Sequence, residues 1–127
     1  MARNELLRAR DVLDDELRDP ALRRRWEELA LARAVAIWLI GYRADSGLSQ
    51  TEIAARLGLN QSVVARLEAA EHVPKLETLL RLAEVLGMSL RLDIIPPSEE
   101  QITDPPEGAT VEHATTPHGA RLRVVAA

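Results

Sequence analysis

At 127 residues, 46% hydrophobic and 28% charged, the chain has the length and composition of one ordinary globular domain. With no cysteine it has no disulfide framework, no thiolate zinc site and no cysteine nucleophile. A formal net charge of −4 argues against strong non-specific binding to nucleic acid, which requires many phosphates to be neutralised at once.

That charge is unevenly spread: residues 1–47 sum to 0, residues 48–95 to −1 and residues 96–127 to −3, so a DNA partner for the middle segment stays compatible with the acidic whole. Phenylalanine is absent and Trp26, Trp38 and Tyr42 are the only aromatics. A core of Leu, Val, Ile and Ala suits helices better than a sandwich of strands. The opening MARNELLRARD holds no apolar run of signal-peptide length, and the greasiest stretch, AVAIWLIGY, lies between Arg33 and Arg43 and is too short to span a bilayer. A cytoplasmic, nucleoid-associated protein is expected, with no membrane partner.

From Asn4 to Leu17 the residues Leu6, Ala9, Leu13 and Leu17 fall at helical spacing. Asp19-Pro20 then starts a second helix, Asp19 capping and Pro20 taking the first position, where its missing N–H costs nothing. Leu22, Trp26, Leu29, Ala36 and Leu39 or Ile40 predict that this helix continues to about Ala44, before Asp45-Ser46-Gly47. Ser49-Gln-Thr-Glu52 is a capping box, with Leu48 and Ile53 placed as a hydrophobic staple. Gly58 ends that helix, and Asn60 caps the next with Leu59 and Val64 as a second staple. The outline is a helix-turn-helix. A further helix from about Leu76 to Leu86, closed by Gly87, is expected to turn Leu76, Leu79, Leu80, Ala83 and Leu86 inward. SLRLDII, residues 89–95, alternates as a half-buried strand whose partner is either residues 120–125 or the same strand of a second subunit. The Pro-, Glu- and Thr-rich remainder reads as a flexible acidic tail.

Residues 48–87, LSQTEIAARLGLNQSVVARLEAAEHVPKLETLLRLAEVLG, resemble the helix-turn-helix of the phage-repressor (Cro, or XRE) superfamily in register throughout. The preceding LDDELRDPALRRRWEELALARAVAIWLIGYRADSG resembles the N-terminal part of HigA-like antitoxins. The resemblance implies a mainly all-α, lambda-repressor-like five-helix DNA-binding domain over 46–95, an N-terminal helical extension over 1–45, one short strand that dimerises, and a tail over 96–127. It also implies that Gln61 and Ser62 point into the major groove, that Arg66 reaches a guanine or a phosphate, and that Gln50 and Asn60 contact the backbone. Val63 stands where the family often has Thr, exchanging a polar contact for one with a thymine methyl. Ala70 stands where a left-handed glycine is common, and Glu71 where a basic residue often follows.

The partners implied are a palindromic operator in double-stranded DNA, a second copy of the chain, and a HigB- or RelE-like toxin docked on the acidic run Asp11 to Asp19. The alternative is a stand-alone regulator of the same superfamily. Arg23, Arg24 and Arg25 read as solvated salt-bridge material, and the tryptophans as core or interface. His72, His113 and His118 share no helical spacing, and no carboxylate is framed with a nucleophile or a phosphate loop, so neither a metal, a cofactor nor enzyme activity is expected.

Overall fold

The computed structural model describes residues 11–99 and 104–127. The amino-terminal half of the first expected helix lies outside them; residues 11–16 are helical. Helix α1 (Pro20–Glu28) starts as expected, with Pro20 in the first turn and Asp19 Oδ1 accepting from the Ala21 amide at 2.9 Å.

The long second helix is in fact two. The chain kinks at Leu29 (φ −97°, ψ 11°) and resumes as α2 (Ala30–Ser46). The sequence holds no Pro or Gly at that point, and the side chain of Arg33 spans the break. Arg33 donates to the Trp26 carbonyl, which also accepts from the Leu29 amide, stacks its guanidinium 3.8 Å from the centre of the Trp26 ring, and pairs with Glu112 at 3.3 Å.

Helix α3 (Gln50–Leu57) carries the full capping box. The Glu52 amide donates to Ser49 Oγ at 3.1 Å and the Ser49 amide to Glu52 Oε1 at 3.3 Å. Gly58, left-handed at φ 67°, turns the chain into α4 (Gln61–Ala69), and Leu59 joins Val64 in the core as the second staple requires. Val35 and Leu39 of α2 pack with Ile53, Ala54, Leu57, Val64, Leu82 and Leu86 in one core, so α2 belongs physically to the helix-turn-helix.

Helix α5 (Leu76–Leu86) corrects the expected inward stripe. Leu82 and Leu86 are buried and Leu79 packs on the core, whereas Leu76 and Leu80 are 71% and 60% exposed. Both stripes are apolar at helical spacing, and only packing distinguishes them.

The second correction concerns the tail. Residues 110–126 form a hairpin of β2 (Thr110–Thr115) and β3 (Arg121–Ala126), and β3 lies between β2 and β1 (Leu90–Ile95) in an antiparallel sheet. Its register sets Leu92 opposite Val124 and Val124 opposite Glu112. Val124, Val125 and Ala126 are buried, and Arg123, 4% exposed, pairs with Asp93 at 2.9 Å. RLRVV was legible as a weak strand, but TVEHAT shows no apolar alternation because Glu112 faces inward to Arg33. The chain remains mainly helical, with a lambda-repressor-like unit at its centre.

Candidate nucleic-acid interface

Helix α4 is short and stands on Val64, which is wholly buried, with Leu67 behind it. Its amino end is therefore the free end. Asn60, Gln61, Ser62 and Arg66 are exposed and Val63 half-buried, so the residues expected to read DNA share one accessible region at the amino end and first turns of α4. Asn60 holds the N-cap backbone position (φ −77°, ψ 149°), but its side chain makes no capping bond. The expected side-chain cap is therefore not formed, and the amide is unengaged by the α4 backbone.

Gln61 is held from behind. Its Nε2 donates to Gln50 Oε1 at 2.8 Å, Gln50 Nε2 donates to Glu68 Oε1 at 3.2 Å, and Glu68 receives both Arg43 nitrogens, Nε and Nη2, at 2.6 Å. The relay runs from α2 through the carboxylate of α4 to the first residue of α3 and back to the first residue of α4. Each amide in it is thereby given one orientation. The outer end is left with its carbonyl oxygen and one N–H, the acceptor and donor that a bidentate contact with adenine needs.

The Glu68 side chain is 7% exposed and Arg43 23%. Hydrogen bonds from Arg43 hold the Glu68 carboxyl below the ordinary carboxylate range, against the opposing effect of burial and with further help from Gln50. The same contacts raise Arg43 above its ordinary value. Both groups are therefore charged at neutral pH, and Arg43 also donates to the Leu48 carbonyl at 3.2 Å, tying the α2–α3 turn to the relay.

Sequence reasoning missed Arg43 and Glu68. A signal for Glu68 was present: it lies four residues after Val64, on the side of α4 that faces the core, where a carboxylate requires a cation. Nothing marked Arg43 as that cation, since it lies 25 residues away.

Beyond α4, Ala70 is left-handed at φ 55°, ψ 33° and donates to the Leu67 carbonyl, the conformation expected of a glycine there. Arg81 Nη1 donates to the Leu57 carbonyl at 3.0 Å, closing the end of α3. Arg23 and Arg25 lie within 3.5 and 4.0 Å of Glu27 and Glu28, and Arg25 also reaches the Glu71 carbonyl at 2.9 Å. The residues of the acidic run are mostly exposed, Asp15 pairing locally with Arg18 at 3.4 Å. No cluster of metal-binding side chains forms among the described residues, and no helix there is long and apolar enough to cross a membrane.

A helix-turn-helix family profile matches residues 41–92, which hold the end of α2, the whole relay and β1 up to Leu92. The antitoxin HigA1 of Mycobacterium tuberculosis is 36% identical over 84 residues, 66% of this chain and 56% of the antitoxin, so the chain spans little more than half that relative's length. An HTH-type transcriptional regulator of Sinorhizobium fredii is 36% identical over 58 residues, 46% of this chain and 74% of the regulator. One of Haemophilus influenzae is 39% identical over 54 residues, 42% of this chain and 55% of that protein. No solved structure gives a significant match. With the motif, its caps and its relatives in agreement, the chain belongs to the Cro-type (XRE) helix-turn-helix family of regulators and is HigA-like in the part that matches.

Proposed function

We propose that the protein is a sequence-specific transcriptional repressor that acts as the antitoxin of a HigB- or RelE-like toxin and represses its own operon, binding a palindromic operator as a homodimer in the cytoplasm. The observation that carries the DNA-binding half is the relay behind Gln61. A surface amide of no function would be free to rotate, whereas this one is oriented through Gln50 and Glu68 by a half-buried arginine. Gln61 and Ser62 read base edges, Val63 offers an apolar contact to a thymine methyl, Arg66 takes a guanine or a phosphate, and Gln50 and Asn60 fix the backbone.

The antitoxin half is supported by the length of the HigA1 match, which exceeds the segment 41–92 and so takes in residues beyond the helix-turn-helix. Within the extension of residues 1–45, the run Asp11 to Asp19 presents exposed carboxylates to a basic toxin. The rival reading is a stand-alone regulator, favoured by the shorter matches to proteins named only as HTH-type regulators.

The test is co-expression of the tagged protein with its flanking gene, with and without residues 1–19, and footprinting of the purified product on DNA upstream of its own gene. Capture of a small basic protein that the truncation loses, together with a footprint that Gln61→Ala erases, is the expected result. A footprint without capture would leave the stand-alone regulator, and no footprint would overturn the repressor reading altogether.

A further inference from the structure

The break between α1 and α2 leaves part of a helix undone. Among the described residues no backbone hydrogen bond joins the amides of Ala30, Leu31 and Ala32 to the carbonyls of Trp26, Glu27 and Glu28, the bonds that an unbroken helix forms there. Ala30 and Ala32 are buried, so water is a poor substitute for the missing carbonyls. Nothing local asks for the break: EELALARAV, residues 27–35, holds no Pro or Gly and consists mostly of strong helix formers.

Helix α1 is also thinly held in its bent position. It has no buried residue, and Leu22 is 50% exposed. Ile94, Leu122 and Ala114 form one apolar row across the three strands, yet a groove of about 440 Å³ separates them from Arg24, Glu27 and Glu28 of α1. Ile94 is left 78% exposed. What spans the bend is Arg33, stacked on the Trp26 ring, bonded to the Trp26 carbonyl and fixed from the sheet by Glu112. Arg25 adds one exposed bond to the Glu71 carbonyl at 2.9 Å. The grip of Arg33 is itself incomplete, because its Nη2 is buried with no acceptor among the described residues.

A bend that forfeits backbone bonds, fills its groove poorly and is spanned by one side chain has a competitor close by. We propose that α1 is a latched arm. In one state it lies bent over the hairpin with Arg33 as the latch, and in the other it swings out about Leu29 and joins α2 as one continuous helix over Pro20–Ser46. Straightening forms the three missing backbone bonds and gives up the Trp26 stack, the Arg33 bond to the Trp26 carbonyl and the Arg25 bond to Glu71. Glu112 keeps its hold on Arg33 in both states, so α2 and the sheet stay as they are. The acidic run Asp11 to Asp19, joined directly to Pro20, travels with the arm. The two states do not depend on what that run binds; on the proposed function, a toxin docked there favours whichever placement it contacts better.

The chain contains no cysteine, so pairs of introduced thiols can be spin-labelled without background, and distances in the full chain follow from double electron–electron resonance. Two pairs are needed. Leu22→Cys with Ile40→Cys uses two exposed positions that a continuous helix sets on one face, about five turns and about 27 Å apart. Arg24→Cys with Thr116→Cys spans the groove that both residues line, and is short in the latched state. Each pair is read in three backgrounds: the wild type, Trp26→Leu, which removes the stacked ring, and Arg33→Met, which removes the guanidinium and keeps the stem. Circular dichroism and a cooperative melt establish that each protein is folded.

The expected result is a ratio of released to latched populations that rises tenfold or more in both variants. The Arg24–Thr116 distance lengthens as the Leu22–Ile40 distance settles near 27 Å, with no loss of helical signal. Folded variants whose two distances match those of the wild-type background would overturn the latch. An Arg24–Thr116 pair that lengthens while the Leu22–Ile40 distance stays away from 27 Å would overturn the continuous helix, since the arm would then detach without straightening.

Discussion

Ala70→Gly is expected to stabilise the protein. Ala70 is the one non-glycine residue with positive φ among those described, at 55°, and it closes α4 by donating to Leu67. An L-residue held left-handed costs about 1–2 kcal/mol that glycine does not incur. Against this, glycine enlarges the unfolded ensemble by about 0.4–1 kcal/mol, and removal of a half-buried methyl forfeits a further ~0.4 kcal/mol. Central values leave about 0.4 kcal/mol of net stabilisation. An unfolding entropy of about 2.1 cal/mol/K per residue over this chain converts that to a rise in Tm of about 1.5 °C. The assay is differential scanning calorimetry of the wild type beside Ala70→Gly and Gly87→Ala. Gly87 closes α5 at φ 79° with open space around a would-be Cβ, so adding a methyl there should lower Tm by a similar amount. A Tm in Ala70→Gly equal to or below the wild type, with Gly87→Ala falling as stated, would show that the turn after the recognition helix stores no strain.

Gln61→Ala should weaken operator binding by about 1–3 kcal/mol in competition gel shifts while leaving circular dichroism unchanged, because the side chain is exposed and bonds only to Gln50. An operator-to-scrambled affinity ratio unchanged in the variant would remove Gln61 from base reading. The Glu68 carboxyl is depressed in the folded state by Arg43, so its contribution is present above the ordinary carboxylate pKa and is lost as pH falls through the lowered one. Urea unfolding of Glu68→Gln should therefore show lower stability at pH 7, by about 1.5–3 kcal/mol, and a smaller loss than wild type on acidification. A variant that loses stability on acidification as steeply as wild type would refute that assignment. Gly58→Ala combines a left-handed φ of 67° with a Cβ 3.0 Å from Arg81 Nη1, the group that caps α3. Chemical denaturation should find it more destabilised than Gly87→Ala, whose Cβ meets nothing, and the reverse order would contradict the close approach.

What could be read from the chain was what local rules encode. The Asp19-Pro20 start, the box at Ser49 and Glu52, and the glycines closing α3 and α5 are decisions made within four or five residues, and all stand where the sequence places them. The strand at Leu90–Ile95 was legible by alternation. What escaped were features set by contacts distant in sequence. The kink at Leu29 lies where Arg33 meets both Trp26 and, 79 residues on, Glu112. Strand β2 looked like a polar tail because its central residue serves that arginine and not a core. On α5, two apolar stripes at the same spacing left the choice of inward face to the tertiary packing of Leu82 and Leu86. The exposed amides at the front of α4 were legible by resemblance as candidates for base reading, and the charged pair that steadies them was not, because half of it lies on another helix.

Both networks are anchored on α2. Arg33 near its start ties it to the sheet through Glu112, and Arg43 near its end ties it to the recognition helix through Glu68. Ten residues of helix set these anchors about 15 Å apart along one axis. Neither anchor is held by a loop: Glu112 sits within β2 and Glu68 within α4. A helix so fixed at two points transmits orientation, and whatever determines the placement of one sheet against another determines the placement of one recognition helix against another. If two copies join through β1, the separation of the two Gln61 side chains is a rigid property of the dimer. Major grooves one helical turn apart, about 34–36 Å, then select it without further adjustment of the protein. Loosening the Arg33–Glu112 anchor should broaden the half-site spacings accepted while leaving each half-site's sequence preference intact, whereas loosening Arg43–Glu68 also frees Gln61 and should weaken that preference. On the proposed function, the spacing belongs to the frame built on α2, and the base preference to the amides that the frame presents.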